Sequence, residues 1–276
     1  ATNATLNFNG NWSTTGSVTI NSTTLNLDGN FTTAGMDLPG LSRTGGTVNL
    51  TGTLTNSALT LNAATGTWNL SGGGTINGGS LSYANGASLQ CVNGTLNNVT
   101  VNGDINFAAF GTVAVTGSTT FSVAHLVEGS DIRFAPGYTL NSTVRAEGTG
   151  GNTRQVLTTA AGTFTIGATG LVELAAGTGG GLTVGNASMT LINNGTIANN
   201  AAGRTLTVNA IATTNNASLS ASTGTLTINN AWTNPGTISA TNATLNFNGN
   251  WSTTGSVTIN DTTLNLDGAF TTAGID

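Results

Sequence analysis

A four-residue pattern, Thr–apolar–Asn–apolar, returns about every twenty residues along this chain. It stands at Thr5-Leu6-Asn7-Phe8, Thr24-Leu25-Asn26-Leu27, Thr47-Val48-Asn49-Leu50 and Thr67-Trp68-Asn69-Leu70. Variants follow at Ser88-Leu89-Gln90-Cys91 and Asp104-Ile105-Asn106-Phe107. Later come Thr205-Leu206-Thr207-Val208, Thr225-Leu226-Thr227-Ile228, Thr244-Leu245-Asn246-Phe247 and Thr263-Leu264-Asn265-Leu266. Strict alternation sends the apolar side chains to one face of a strand and Thr and Asn to the other. A flat sheet of such strands would leave two open edges and need a second layer. A period near twenty allows another solution, in which each unit closes one coil and like strands stack coil on coil. The fold class expected is therefore all-β, a parallel right-handed β-helix (β-solenoid) with about 20 residues per coil.

The last three units sharpen this expectation. Seven residues after Thr225, Thr244 and Thr263 stand Trp232, Trp251 and Phe270, and eleven after them stand Gly236, Gly255 and Gly274. Leu226, Leu245 and Leu264, with the three aromatics, should form a core stack. The glycines should mark one corner, where a residue tolerant of positive φ is useful. Asn side chains stacked along the axis should hydrogen-bond to one another.

A longer repeat lies over the short one. Ala1–Asp37 returns as Ala240–Asp276 with 34 of 37 positions identical, at an offset of 239 residues. Only Ser22/Asp261, Asn30/Ala269 and Met36/Ile275 differ. The expected organisation is one tandem repeat over residues 1–239, then the start of the next over 240–276. At ~4.8 Å per coil, about twelve coils per repeat give roughly 57 Å of rod. Such arrays build length before they do chemistry. Between about Thr112 and Gly203 the pattern loosens and much of the charge gathers, so longer loops or a protrusion are expected there.

Composition removes several function classes. Charged residues are 5% of the chain, none is lysine, and five arginines face ten acids for a net charge of −5. No basic face is available for nucleic acid, and no apolar run reaches the length of a membrane-spanning helix. The single Cys91 reads as a small core residue. No cofactor or metal site is expected. His125 is the only histidine. Asp28 and Asp267 occupy equivalent Asn-Leu-Asp-Gly turns without the nonapeptide of calcium-binding β-rolls. Glu128 and Glu147, one coil apart, would be the pair to test for glycosidic acid–base work. Ion pairing with Arg133 and Arg145, close in sequence, explains them more simply.

The stretch TLTINNAWTNPGTISATNATLNFNGNWSTTGSVTIN resembles the strand repeats of bacterial autotransporter passengers and filamentous-haemagglutinin-type adhesins. That resemblance implies an exported β-helix displayed at or beyond the cell surface. The expected function is a structural filament, sheath or surface-layer segment of a giant repetitive bacterial protein, with itself as the main partner. The alternative is an adhesin stalk or glycan-binding protein, and more remotely a polysaccharide-active enzyme.

Overall fold

The computed structural model describes residues 1–38 and 40–270. Every regular element among them is a strand, and every pairing given by register is parallel. The strands form a parallel β-solenoid of about thirteen coils, each roughly 20 residues long. Two compact units, Ala1–Ala124 and His125–Asp276, divide the chain.

In the first unit the Thr–apolar–Asn–apolar segments lie directly over one another. Thr5–Phe8 pairs with Thr24–Leu27, which pairs with Thr47–Leu50, then Trp68–Leu70, then Leu89–Asn97. The register puts like on like, as in Leu25 beside Val48 and Asn26 beside Asn49. Inward residues Leu25, Leu27, Val48, Leu50, Trp68 and Leu70 are almost fully buried. Removing each from water contributes about 1.5–3 kcal/mol. Cys91 continues the column of Leu27, Leu50 and Leu70. It is a buried free thiol, as its apolar neighbours predict.

In the second unit each coil carries up to three strands. Gly224–Ile228, Ala231–Asn234 and Thr237–Thr241 form one coil, and Ala243–Phe247, Asn250–Thr253 and Ser256–Asn260 stack on them in parallel. Coil length is not constant here. Register partners are 28 residues apart from Arg154 to Leu182, 24 from Leu182 to Leu206, 20 from Thr205 to Thr225, and 19 from Thr225 to Thr244. The loosened sequence of the middle therefore reflects longer corner loops on coils whose strands keep their stacking. The segments Leu171–Leu174 and Met189–Asn193 are both strands within it. Ala240, where the opening sequence returns, lies inside the strand Thr237–Thr241 and pairs with Ile259 without a register shift.

Candidate functional site

The residues singled out by periodicity come together in one column. Trp232 pairs with Trp251 and Trp251 with Phe270. Their rings are stacked, 5.1 Å apart at 9° for the first pair and 4.6 Å at 17° for the second. Offset stacking of this kind adds about 0.5–1.5 kcal/mol per pair beyond burial. Each indole N–H reaches forward to the next coil: Trp232 Nε1 donates to the Asn248 carbonyl at 3.0 Å, and Trp251 Nε1 to the Asp267 carbonyl at 3.1 Å. Beside them Leu226, Leu245 and Leu264 are direct register partners. The first copy has the same arrangement. Trp12 stacks on Phe31 at 4.3 Å and donates to the Asp28 carbonyl at 2.8 Å.

The glycine corner needs a correction. Gly236 and Gly255 do not adopt positive φ. They are required by close approach instead. A Cβ on Gly236 would collide with the Ala217 carbonyl oxygen, and one on Gly255 with the Gly236 carbonyl oxygen. The left-handed corner lies elsewhere, at Asn230, Gly249 and Gly268, with φ of 66°, 79° and 80°. Gly274 lies outside the described residues.

Two kinds of asparagine ladder run along the coils. The outward one was expected: Asn26 Nδ2 donates to Asn7 at 2.7 Å, Asn49 to Asn26 at 2.8 Å, and Asn69 to Asn49 at 3.0 Å. The second is buried. Asn193 Nδ2 donates to Asn215 Oδ1 at 2.7 Å, Asn215 to Asn234 at 2.6 Å, and Asn234 to Thr253 Oγ1 at 2.9 Å. Asn193 and Asn215 also donate to the carbonyls of Ser218 and Thr237. A buried amide is tolerable only when paired in this way.

The charged residues take partners that the sequence did not indicate. Arg145 pairs with Glu173, its direct register partner 28 residues on. Arg133 pairs with Asp131 at 3.2 Å, and not with Glu128. The Arg145–Glu173 pair joins adjacent coils, whereas the Arg133–Asp131 pair lies within one strand. Glu147 Oε1 lies 3.0 Å from His125 Nδ1, and Glu128 Oε1 accepts from Asn152 Nδ2 at 2.6 Å. The two glutamates thus have separate partners. Arg154 is fully buried and donates to the carbonyls of Glu147, Gly148, Gly150 and Asn152, tying down one long loop. Burial lowers its pKa, and Glu128 acts against that. Burial also pushes the Cys91 thiol up to about 12 and the Tyr138 hydroxyl up to about 12. These are inert groups at neutral pH, unlike the depressed thiols of catalytic sites.

Asp28 and Asp267 each accept the N–H of the next glycine, at 2.7 and 2.6 Å, which fits their reading as turn residues. Among the described residues no group of three or more His, Cys, Asp or Glu is placed to hold a metal ion. Among the described residues no helix is long and apolar enough to cross a membrane. Comparison with protein-family models, curated proteins and solved structures finds no match. The fold itself defines the class: the chain is a parallel β-solenoid built on a duplicated sequence.

Proposed function

We propose that this chain is a length-building segment of a secreted bacterial filament, sheath or surface layer. The observation that carries this reading is the stacking of the second copy. Thr244-Leu245-Asn246-Phe247 sits on Thr225-Leu226-Thr227-Ile228 in the same like-on-like register in which the first copy's own strands stack. The returning sequence thus extends the stack with no new interface, so copies add length by nearest-neighbour contacts alone. The low charge of the surface supports the same role, because little electrostatic interaction is left for salt to screen.

Electron microscopy of the purified chain at increasing concentration tests the proposal. Ordered filaments or sheets with an axial period near ~57 Å, or a multiple of it, are expected from coils ~4.8 Å apart. Particles that stay dispersed, with no lateral or axial order at any concentration, would overturn it.

A further inference from the structure

The chain has five arginines, and four are used internally. Arg43 donates to the carbonyls of Thr67 and Gly46, Arg133 and Arg145 pair with carboxylates, and Arg154 is buried among carbonyls. Arg204 differs from all of them. Its backbone is held firmly: its N–H donates to Ala201 at 3.2 Å, and its carbonyl accepts from Thr225 N at 2.8 Å and Asn199 Nδ2 at 3.0 Å. Its guanidinium is exposed and, among the described residues, makes no ion pair or hydrogen bond.

That guanidinium stands at a groove of about 290 Å³ in the second unit, lined by Thr153, Thr183, Thr205 and Thr207 and floored by glycine. The register explains the groove. Arg154, Leu182 and Leu206 are successive partners, so the residues before them, Thr153, Gly181 and Thr205, share one outward row. At Gly181 a Cβ would come within 2.8 Å of the Thr205 carbonyl oxygen, so this position of the row carries no side chain. Thr183 and Thr207 are direct partners in the next outward row. Their hydroxyls, like those of Thr153 and Thr205, have no hydrogen-bond partner among the described residues. No acidic residue lines the groove, and Glu128, which approaches the neighbouring loop at Gly150, is engaged by Asn152.

We infer that this groove binds a carboxylate-bearing sugar chain, with Arg204 holding the carboxylate and the threonine rows holding the hydroxyls. A planar guanidinium matches a carboxylate in a two-pronged, charge-assisted contact. Threonine hydroxyls both donate and accept, as sugar hydroxyls require. A sugar chain laid along the stack meets a new strand every ~4.8 Å. The groove has no aromatic residue to stack a nucleic-acid base. On a chain of net charge −5 an acidic polymer is held only where a cation is locally unopposed.

The test uses the full chain and titrates it with a uronic-acid hexasaccharide, a neutral hexasaccharide of the same length, and acetate. Five arginines give at most five side-chain Nε–H signals by NMR, so the Arg204 signal can be followed directly. Saturable binding of the uronic-acid chain that moves the Arg204 signal and weakens at least tenfold in Arg204→Gln is expected. Arg133→Gln, which removes another arginine, should leave the affinity unchanged, and circular dichroism should report the same fold for both variants. Equal affinity for the neutral chain, equal affinity for acetate, or binding indifferent to Arg204→Gln would each overturn the inference.

Discussion

The carbonyl oxygen of Gly236 occupies the space that a side chain on Gly255 would need. Gly16 is the same residue in the first copy, 239 positions earlier, and a Cβ built there meets nothing within 4 Å. Neither Gly16 nor Gly255 has positive φ, so conformational preference does not separate them. Gly255→Ala must push two backbones apart and should cost about 2–3 kcal/mol. Gly16→Ala should stay within about 0.5 kcal/mol of the parent chain. Native-state hydrogen exchange of the amides in Ala231–Asn234 and Asn250–Thr253 reads the first effect locally. Equal behaviour of the two variants would show that coil contact is not what demands glycine.

Trp251 is held between Trp232 and Phe270 and is 5% exposed, whereas Trp12, its counterpart, is only half-buried. Trp251→Ala should therefore lose about 3–5 kcal/mol, in the range for aromatic truncation in a core. Trp12→Ala should lose clearly less. Urea denaturation followed by circular dichroism, with both variants measured under one condition, decides the order.

Asn215→Ala strands groups on both sides of the buried ladder. Asn234 Oδ1 and the Thr237 carbonyl lose their donor, and Asn193 loses an acceptor. A cost of about 2–3 kcal/mol is expected from unsatisfied buried groups. Asn265→Ala on the outward ladder, where the Asn265–Asn246 bond is exposed to water, should cost no more than about 0.5 kcal/mol. If the two substitutions prove equally mild, the buried amides do not hold the stack.

Cys91 gives a pH signature. Burial raises its folded-state pKa from 9.0 to about 12, so the folded chain holds the proton to higher pH than the unfolded chain does. The associated stability is complete below pH 9 and is lost as pH rises toward 12. The slope is at most about 1.4 kcal/mol per pH unit for one proton. Cys91→Ala should flatten this alkaline limb, leaving the part due to Tyr83 and Tyr138, which burial shifts the same way. A thiol reagent should label native Cys91 only at the rate at which its coil opens. Immediate labelling at neutral pH would contradict a buried thiol.

The sequence exposes the regular coils because their spacing is nearly constant. Leu226, Leu245 and Leu264 are 19 residues apart, so equal letters fall on equal positions. The buried ladder is not legible in the sequence because Asn carries no sign of which face it occupies. Asn193, Asn215 and Asn234 read like their outward relatives, and the spacing drifts from 22 to 19 residues. A signal does exist in Asn193-Asn194-Gly195-Thr196, Asn215-Asn216-Ala217-Ser218 and Asn234-Pro235-Gly236-Thr237, each an Asn two residues ahead of a tight corner. The Arg145–Glu173 pair was out of reach for a related reason. Its 28-residue separation includes a long loop whose length a twenty-residue period does not supply.

The point where the opening sequence returns falls within the strand Thr237–Thr241 and leaves its pairing intact. Unequal crossing-over between near-identical stretches of a gene would therefore add or delete whole copies without creating a junction the chain has never folded before. Under the proposed filament reading, reach would then be inherited as a count of copies, while the coils themselves stay the same.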